Sequence, residues 1–188
     1  MDFPLFKFLL EFDLFAIYRH GILKRMGGNT MQLEDKMREI IEEKCDDYFF
    51  GIADLSFSKN TMIEQYESLI VEYPRAISVG ITLPYSITDD LLTDKSTAVY
   101  NETNCQLNTI TTRLSRLLQD EGYKVFSVPK AEKMNDRTFI SLHKLVANLA
   151  GLGQIEENLL ITPEVGHGVN WGTLLTNAPI EENNSMNF

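Results

Sequence analysis

The sequence predicts an α/β (α+β) domain, a sheet covered by helices on both faces. Segments with helical spacing of apolar residues alternate with short apolar, β-branched runs. Gly27-Gly28, Pro74, Gly122, Pro129 and Pro163 fall between those segments, where chain breaks belong. The chain has 188 residues, 44% of them apolar, enough for one core that buries roughly 70% of the unfolded surface. Such alternation places helices against a sheet.

The elements follow in order. From Met31 to Lys44, Leu33, Met37, Ile40 and Ile41 recur on one helical face. Tyr48 to Leu55 reads as a buried strand. Lys59 to Val71 reads as a helix with Met62, Tyr66, Leu69 and Ile70 inward. Pro74 breaks it, and Ala76 to Leu83 follows as a central strand. Leu91 to Glu121 reads as helix in more than one piece, with Leu107, Ile110, Leu114, Leu117 and Leu118 on its apolar side and Gly122 as its cap. Tyr123 to Val128 is a short strand, Thr138 to Ala150 a helix, and Leu159–Thr162 and Val169–Thr176 two final strands. Residues 1–30 form an apolar extension and linker, residues 31–180 the domain, and residues 181–188 a polar tail.

Charge excludes some functions. The net charge is −10, which opposes nucleic acid and anionic lipid as partners. Residues 1–30 carry four bases against three acids, leaving −11 for the remainder. The first eighteen residues are strongly apolar, but Lys7, Glu11 and Asp13 interrupt them, so neither a membrane span nor a signal peptide is expected. The segment is instead a packing surface, through which copies of the chain or a partner could associate, or it lies upstream of a true start at Met26 or Met31. Two cysteines, Cys45 and Cys105, stand outside any C-x-x-C pair, which suits reduced thiols in the cytoplasm and leaves a single bridge between them open. Two thiolates fall short of the four that an iron–sulfur cluster needs.

The most informative stretch is Leu149 to Glu164, L-A-G-L-G-Q-I-E-E-N-L-L-I-T-P-E. A helix ends at Gly151, a glycine turn follows, and a strand stops at Pro163. With F-G-I-A-D-L (Phe50 to Leu55), Y-P-R-A-I-S-V-G-I-T-L-P (Tyr73 to Pro84), the segment from Tyr100 to Leu107 with G-Y-K-V-F-S-V-P after it, and L-L-T-N-A-P (Leu174 to Pro179), it resembles the epoxyqueuosine reductase family of corrinoid-dependent reductases, related to reductive dehalogenases. The order and spacing of these stretches carry the resemblance.

The resemblance implies a nitroreductase-like fold holding cobalamin beside the substrate, with electrons from a ferredoxin-like half bearing two clusters. Here it covers only the part before the clusters, so the electron donor would be a separate ferredoxin-like or partner chain. It implies cofactor contacts at Asn104, Gly151, Leu152, Gly153, Asn158, Pro163, Gly166 and His167. The family's turn reads A-G-L-G-W-I-G-K-N; this chain has Gln154, Glu156 and Glu157 in place of Trp, Gly and Lys, which reverses the local charge. Relatives carry basic residues after P-E-x-G, where this chain has His167, Gly168 and Asn170. The family's proton-donating Asp has no counterpart in Asn101 to Cys105, where Glu102 is the weak substitute.

Plainer readings stand beside these. A helix cap and a tight turn need Gly151 and Gly153 whatever the function. G-x-G after a helix reverses the dinucleotide-binding order. His20, His143 and His167 lack metal-ligand spacing, and neither Ser141 nor Cys105 sits in a nucleophile motif. Glu156 and Glu157 suit a solvated loop, and Trp171 suits the core. Three functions follow: a corrinoid-binding reductase-like domain without its own clusters, a non-catalytic remnant or interaction module of the same fold, and a flavin-binding protein.

Overall fold

The computed structural model describes residues 32–56, 67–84, 94–130, 141–157 and 159–181. The chain divides after Met31, and the unit from Gln32 to Phe188 holds every element described below. Expectations for residues 1–31, 57–66, 85–93, 131–140, 158 and 182–188, among them His20, the apolar first segment and the first residues of the helix expected from Thr138, lie outside the described residues.

Four strands form one antiparallel sheet in the order β1-β2-β6-β3: β1 is Tyr48–Asp54, β2 Arg75–Thr82, β6 Val169–Thr176 and β3 Val125–Ser127. The long pairings are β1 with β2 and β2 with β6, in a register that sets Ile52 opposite Ile77 and Ile77 opposite Leu174. Alternation then sends one set of side chains to each face. Two further strands, β4 (Gln154–Glu156) and β5 (Leu159–Ile161), make a separate hairpin.

On one face, α1 (Leu33–Glu42) and α3 (Asp94–Asp120) cover the sheet. Met37 and Ile41 of α1 and Leu107, Ile110, Leu114 and Leu118 of α3 pack on Phe50, Ile52, Ile77, Val79, Ile81 and Leu174. The α3 residues recur every three or four positions, one stripe of a helix. Each large apolar side chain buried here contributes about 1.5–3 kcal/mol. On the other face, α4 (Leu142–Leu149) lays Leu142, Leu145 and Val146 over Ala53, Ala76 and Leu175, with Leu69 and Ile70 of α2 (Glu67–Glu72) beside them. Trp171 lies on this face against Phe49, ring centroids 5.6 Å apart, and across Gly80, where a Cβ would come within 2.7 Å of the indole. A side chain at Gly80 would therefore displace the tryptophan.

Several expectations change. Helix α3 runs unbroken for 27 residues instead of in pieces. Its Thr109 and Thr111 hydroxyls bond back to the carbonyls of Cys105 and Leu107, so these β-branched residues satisfy themselves within the helix. Strand β4 went unforeseen because Q-I-E carries one apolar residue. Among the described residues β5 pairs only with β4 and stays out of the main sheet. Helix α4 begins at Leu142, where Ser141 caps it by accepting from the Lys144 amide at 3.5 Å. That capping role accounts for Ser141. Gly122 ends α3 in the left-handed region, φ 89°, as its position predicts. Cys45 and Cys105 are both free thiols.

Candidate functional site

The glycine turn is built for packing. Gly151 has φ 72° and ends α4, as a helix C-terminus requires. Gly153 is buried, and a Cβ on it would lie 2.6 Å from the carbonyl oxygen of Ile161. Asn148 reinforces the turn by donating from Nδ2 to the Gly153 carbonyl at 2.8 Å. Leu152 is half-buried and packs with the groups around Phe49 and Trp171. Gly153 thus faces β5 at close range.

The loop between β5 and β6 is closed on itself. Thr162 and Gly166 exchange backbone hydrogen bonds of 2.8 and 3.0 Å, and the Thr162 hydroxyl also donates to the Gly166 carbonyl. Pro163 and His167 are exposed. Gly166 has φ 62°, and no atom lies within 4 Å of where its Cβ would be. The backbone there is open on that side. Asn158 lies outside the described residues.

Asn104 belongs elsewhere. It projects from α3 to Asn170 of β6, whose Nδ2 donates to Asn104 Oδ1 at 2.9 Å and to Thr103 Oγ1 at 3.1 Å. Thr103 in turn donates to the Tyr100 carbonyl at 2.9 Å. Lys130, just past β3, donates from Nζ to Asn170 Oδ1 and lies 5.9 Å from the Tyr100 ring centroid. This cluster is on the α3 side of the sheet, whereas Leu152 of the glycine turn packs with Trp171 on the α4 side. The expected contact set is therefore divided between two faces. Glu102, the weak catalytic candidate, is exposed on α3 beside buried Thr103.

Electrostatics around the cluster are unusual for a protein of −10 net charge. The residue Lys130 is exposed as a whole, yet its ammonium end is turned inward, and that burial lowers its pKa to about 8. Through β6, His143 of α4 is buried between the Thr173 hydroxyl, 3.0 Å from Nδ1, and the Pro129 carbonyl, 3.3 Å from Nε2. A carbonyl only accepts, so Nε2 carries the proton and Nδ1 accepts from Thr173. Burial, and then the charge of Lys130, lower the His143 pKa to about 4, against a smaller opposing effect of the Pro129 bond. A satisfied neutral histidine is a structural part, not a metal ligand.

Sequence reasoning missed Thr103, Lys130, Asn170 and Thr173 as a group. The available signal was Asn170, a polar residue on a strand buried along its whole length. Its partners come from α3 and from the residues after β3, so only the fold brings them together.

The fold defined by this sheet and its helices is shared with a class of reductases. A catabolic reductive dehalogenase superposes with a TM-score of 0.59 at 16% identity, over 85% of this chain and 23% of that one. Epoxyqueuosine reductase from Streptococcus thermophilus superposes with a TM-score of 0.52 at 16% identity, over 84% of this chain and 49% of that one. An epoxyqueuosine reductase solved with a modified tRNA stem loop gives 0.53 at 16% identity, over 81% of this chain and 47% of that one. At this identity the likeness is one of fold. The chain spans about half the length of these epoxyqueuosine reductases and a quarter of the dehalogenase. No protein-family model and no curated protein matches the sequence. Among the described residues, no helix is long and apolar enough to cross a membrane.

Proposed function

We propose that this chain is an epoxyqueuosine reductase-like domain that binds a corrinoid and receives electrons from a separate ferredoxin-like chain. The observation that carries the reading is the fold likeness, which points to the same family as the sequence resemblance. The order of sequence stretches resembles that family, and the fold superposes on its members over four-fifths of this chain. The nitroreductase-like label belongs to the same proposal.

The residues at the glycine turn do not suit a ring lying on Gly153, because Ile161 already occupies that approach. The loop from Pro163 to Gly168 fits better: Gly166 leaves its backbone open on one side and His167 is exposed beside it. A flat, bulky group can reach open glycine backbone closely. This loop would hold the corrinoid, and Leu152 and Gly151 would flank it from the turn after α4. Bound there, a corrinoid supplies a cobalt centre that takes and delivers electrons in reductions. The chain's own part is to bind and orient the group and to limit its contact with water.

A second reading, an interaction module without redox chemistry, draws support from the exposed Glu102 in place of an aspartate and from Glu156 and Glu157 in place of Gly and Lys. The visible spectrum of the protein purified from its own cells separates the readings. Corrin bands support the proposal; flavin bands, or no retained corrin after reconstitution with cobalamin and removal of the unbound excess, contradict it.

A further inference from the structure

We propose that Lys130 and Asn104, flanked by the ring of Tyr100, form a binding site for a monoanionic carboxylate, with Asn170 as the residue that positions them. The inference comes from a full account of donors and acceptors in the cluster. An ammonium only donates, so Asn170 must present Oδ1 to Lys130. Its Nδ2 then faces α3 and donates to Thr103 and to Asn104. Asn104 must therefore present its own Oδ1 to Asn170 and turn its Nδ2 away. Thr103 spends its proton on the Tyr100 carbonyl and accepts from Asn170. The side-chain oxygens of Asn104 and Asn170 and the Thr103 hydroxyl are all engaged within the cluster. What is left over is donors: the remaining N–H groups of Lys130 and the Nδ2 of Asn104.

Asn170 is only 4% exposed, so this arrangement is fixed by a buried side chain and does not wander as a surface lysine would. No carboxylate of the described residues pairs with Lys130. Among the described residues, the titratable groups that face it are His143 from α4, which is held neutral, and Tyr100 from α3. A cation held inward beside unpaired N–H donors is matched by an anion with two acceptor oxygens. One positive charge balances one negative charge, which favours a carboxylate over a phosphate dianion, and the two oxygens of a carboxylate give each donor its own acceptor. The half-exposed Tyr100 ring offers a flank for the organic body that carries the carboxylate.

The site is independent of the corrinoid proposal, because it can be tested with no cobalamin present. The experiment follows the Cε resonance of Lys130 in the full chain labelled with 13C-lysine, assigned by its loss in Lys130→Arg, while acetate replaces chloride at constant ionic strength. A saturable shift is expected. Asn104→Leu should weaken acetate about tenfold, the loss of one hydrogen bond to a charged group. Above pH 8, affinity should fall about tenfold per pH unit, because acetate needs the protonated amine. Lack of a saturable shift, an unchanged affinity in Asn104→Leu, or tighter binding of inorganic phosphate than of acetate would each overturn the proposal. Asn104 is half-buried at the cluster's outer side, so its variant reads the site even if changes at Lys130 disturb folding.

Discussion

His143 shows how a single residue acquires its behaviour from its surroundings. The sequence places it on a helix face with Leu142, Leu145, Val146 and Leu149, and a satisfied or solvent-facing histidine is the plain expectation there. In the fold it is 6% exposed with both ring nitrogens engaged. Its pKa of about 4 in the folded chain lies below the ordinary 6.5 of an unfolded one. The unfolded state thus binds a proton first as pH falls. Above pH 6.5 both states are neutral at this position and nothing is lost. Between pH 6.5 and 4 the protein should lose up to about 3 kcal/mol of stability through this group alone. Urea unfolding at pH 7 and pH 5 checks it, with His143→Gln as the reference. The wild type should destabilise more steeply than the variant over that interval, whatever the variant's absolute stability. Equal slopes would mean that the ring is already solvated in the folded state.

At the scale of elements, the long strands and the apolar stripe of α3 were legible because their patterns are long, though the continuity of α3 was not. Val169–Thr176 is bounded as the sequence predicts, and the Leu107, Ile110, Leu114 stripe of α3 packs the core. Of the hairpin, β5 was legible at Leu159–Thr162, but β4, three residues with one apolar side chain, was not, and so neither was their pairing. Nor was the role of Gly153, since a close backbone approach leaves the same letter as an open cradle. The candidate site was half legible. Gly151 and the Pro163–Gly168 loop lie where their neighbours in sequence suggest, but Asn104 and Asn170 meet across 66 residues. The hairpin also holds a local conflict. Glu157, where β4 turns into β5, has φ 46°, a left-handed conformation that costs a residue with a Cβ about 1–2 kcal/mol. Tight hairpins favour glycine at such positions. Glu157→Gly should therefore raise stability by about 1 kcal/mol, net of the greater freedom of glycine in the unfolded chain. Thermal unfolding of the two proteins reads this directly. A lower midpoint in the variant would show that the Glu157 side chain makes a stabilising contact.

For the whole molecule, the sheet and its two layers of helices form a scaffold whose chemistry gathers near the start of β6. The loop that enters β6 is open at Gly166, and the second residue of β6 anchors the polar cluster on α3. One strand thus joins the proposed corrinoid contact to the proposed carboxylate site. The scaffold corresponds to about half of an epoxyqueuosine reductase chain. The central claim, a corrinoid on this loop, is tested most directly by titrating cobalamin into the full chain and into Gly166→Asn while following the visible spectrum. Asparagine tolerates the left-handed backbone, so the variant keeps its loop but fills the open side. The account predicts a saturable spectral change in the wild type that is weakened at least tenfold in Gly166→Asn, with far-UV circular dichroism unchanged. No spectral change in the wild type, or equal affinity in the two proteins, would contradict it.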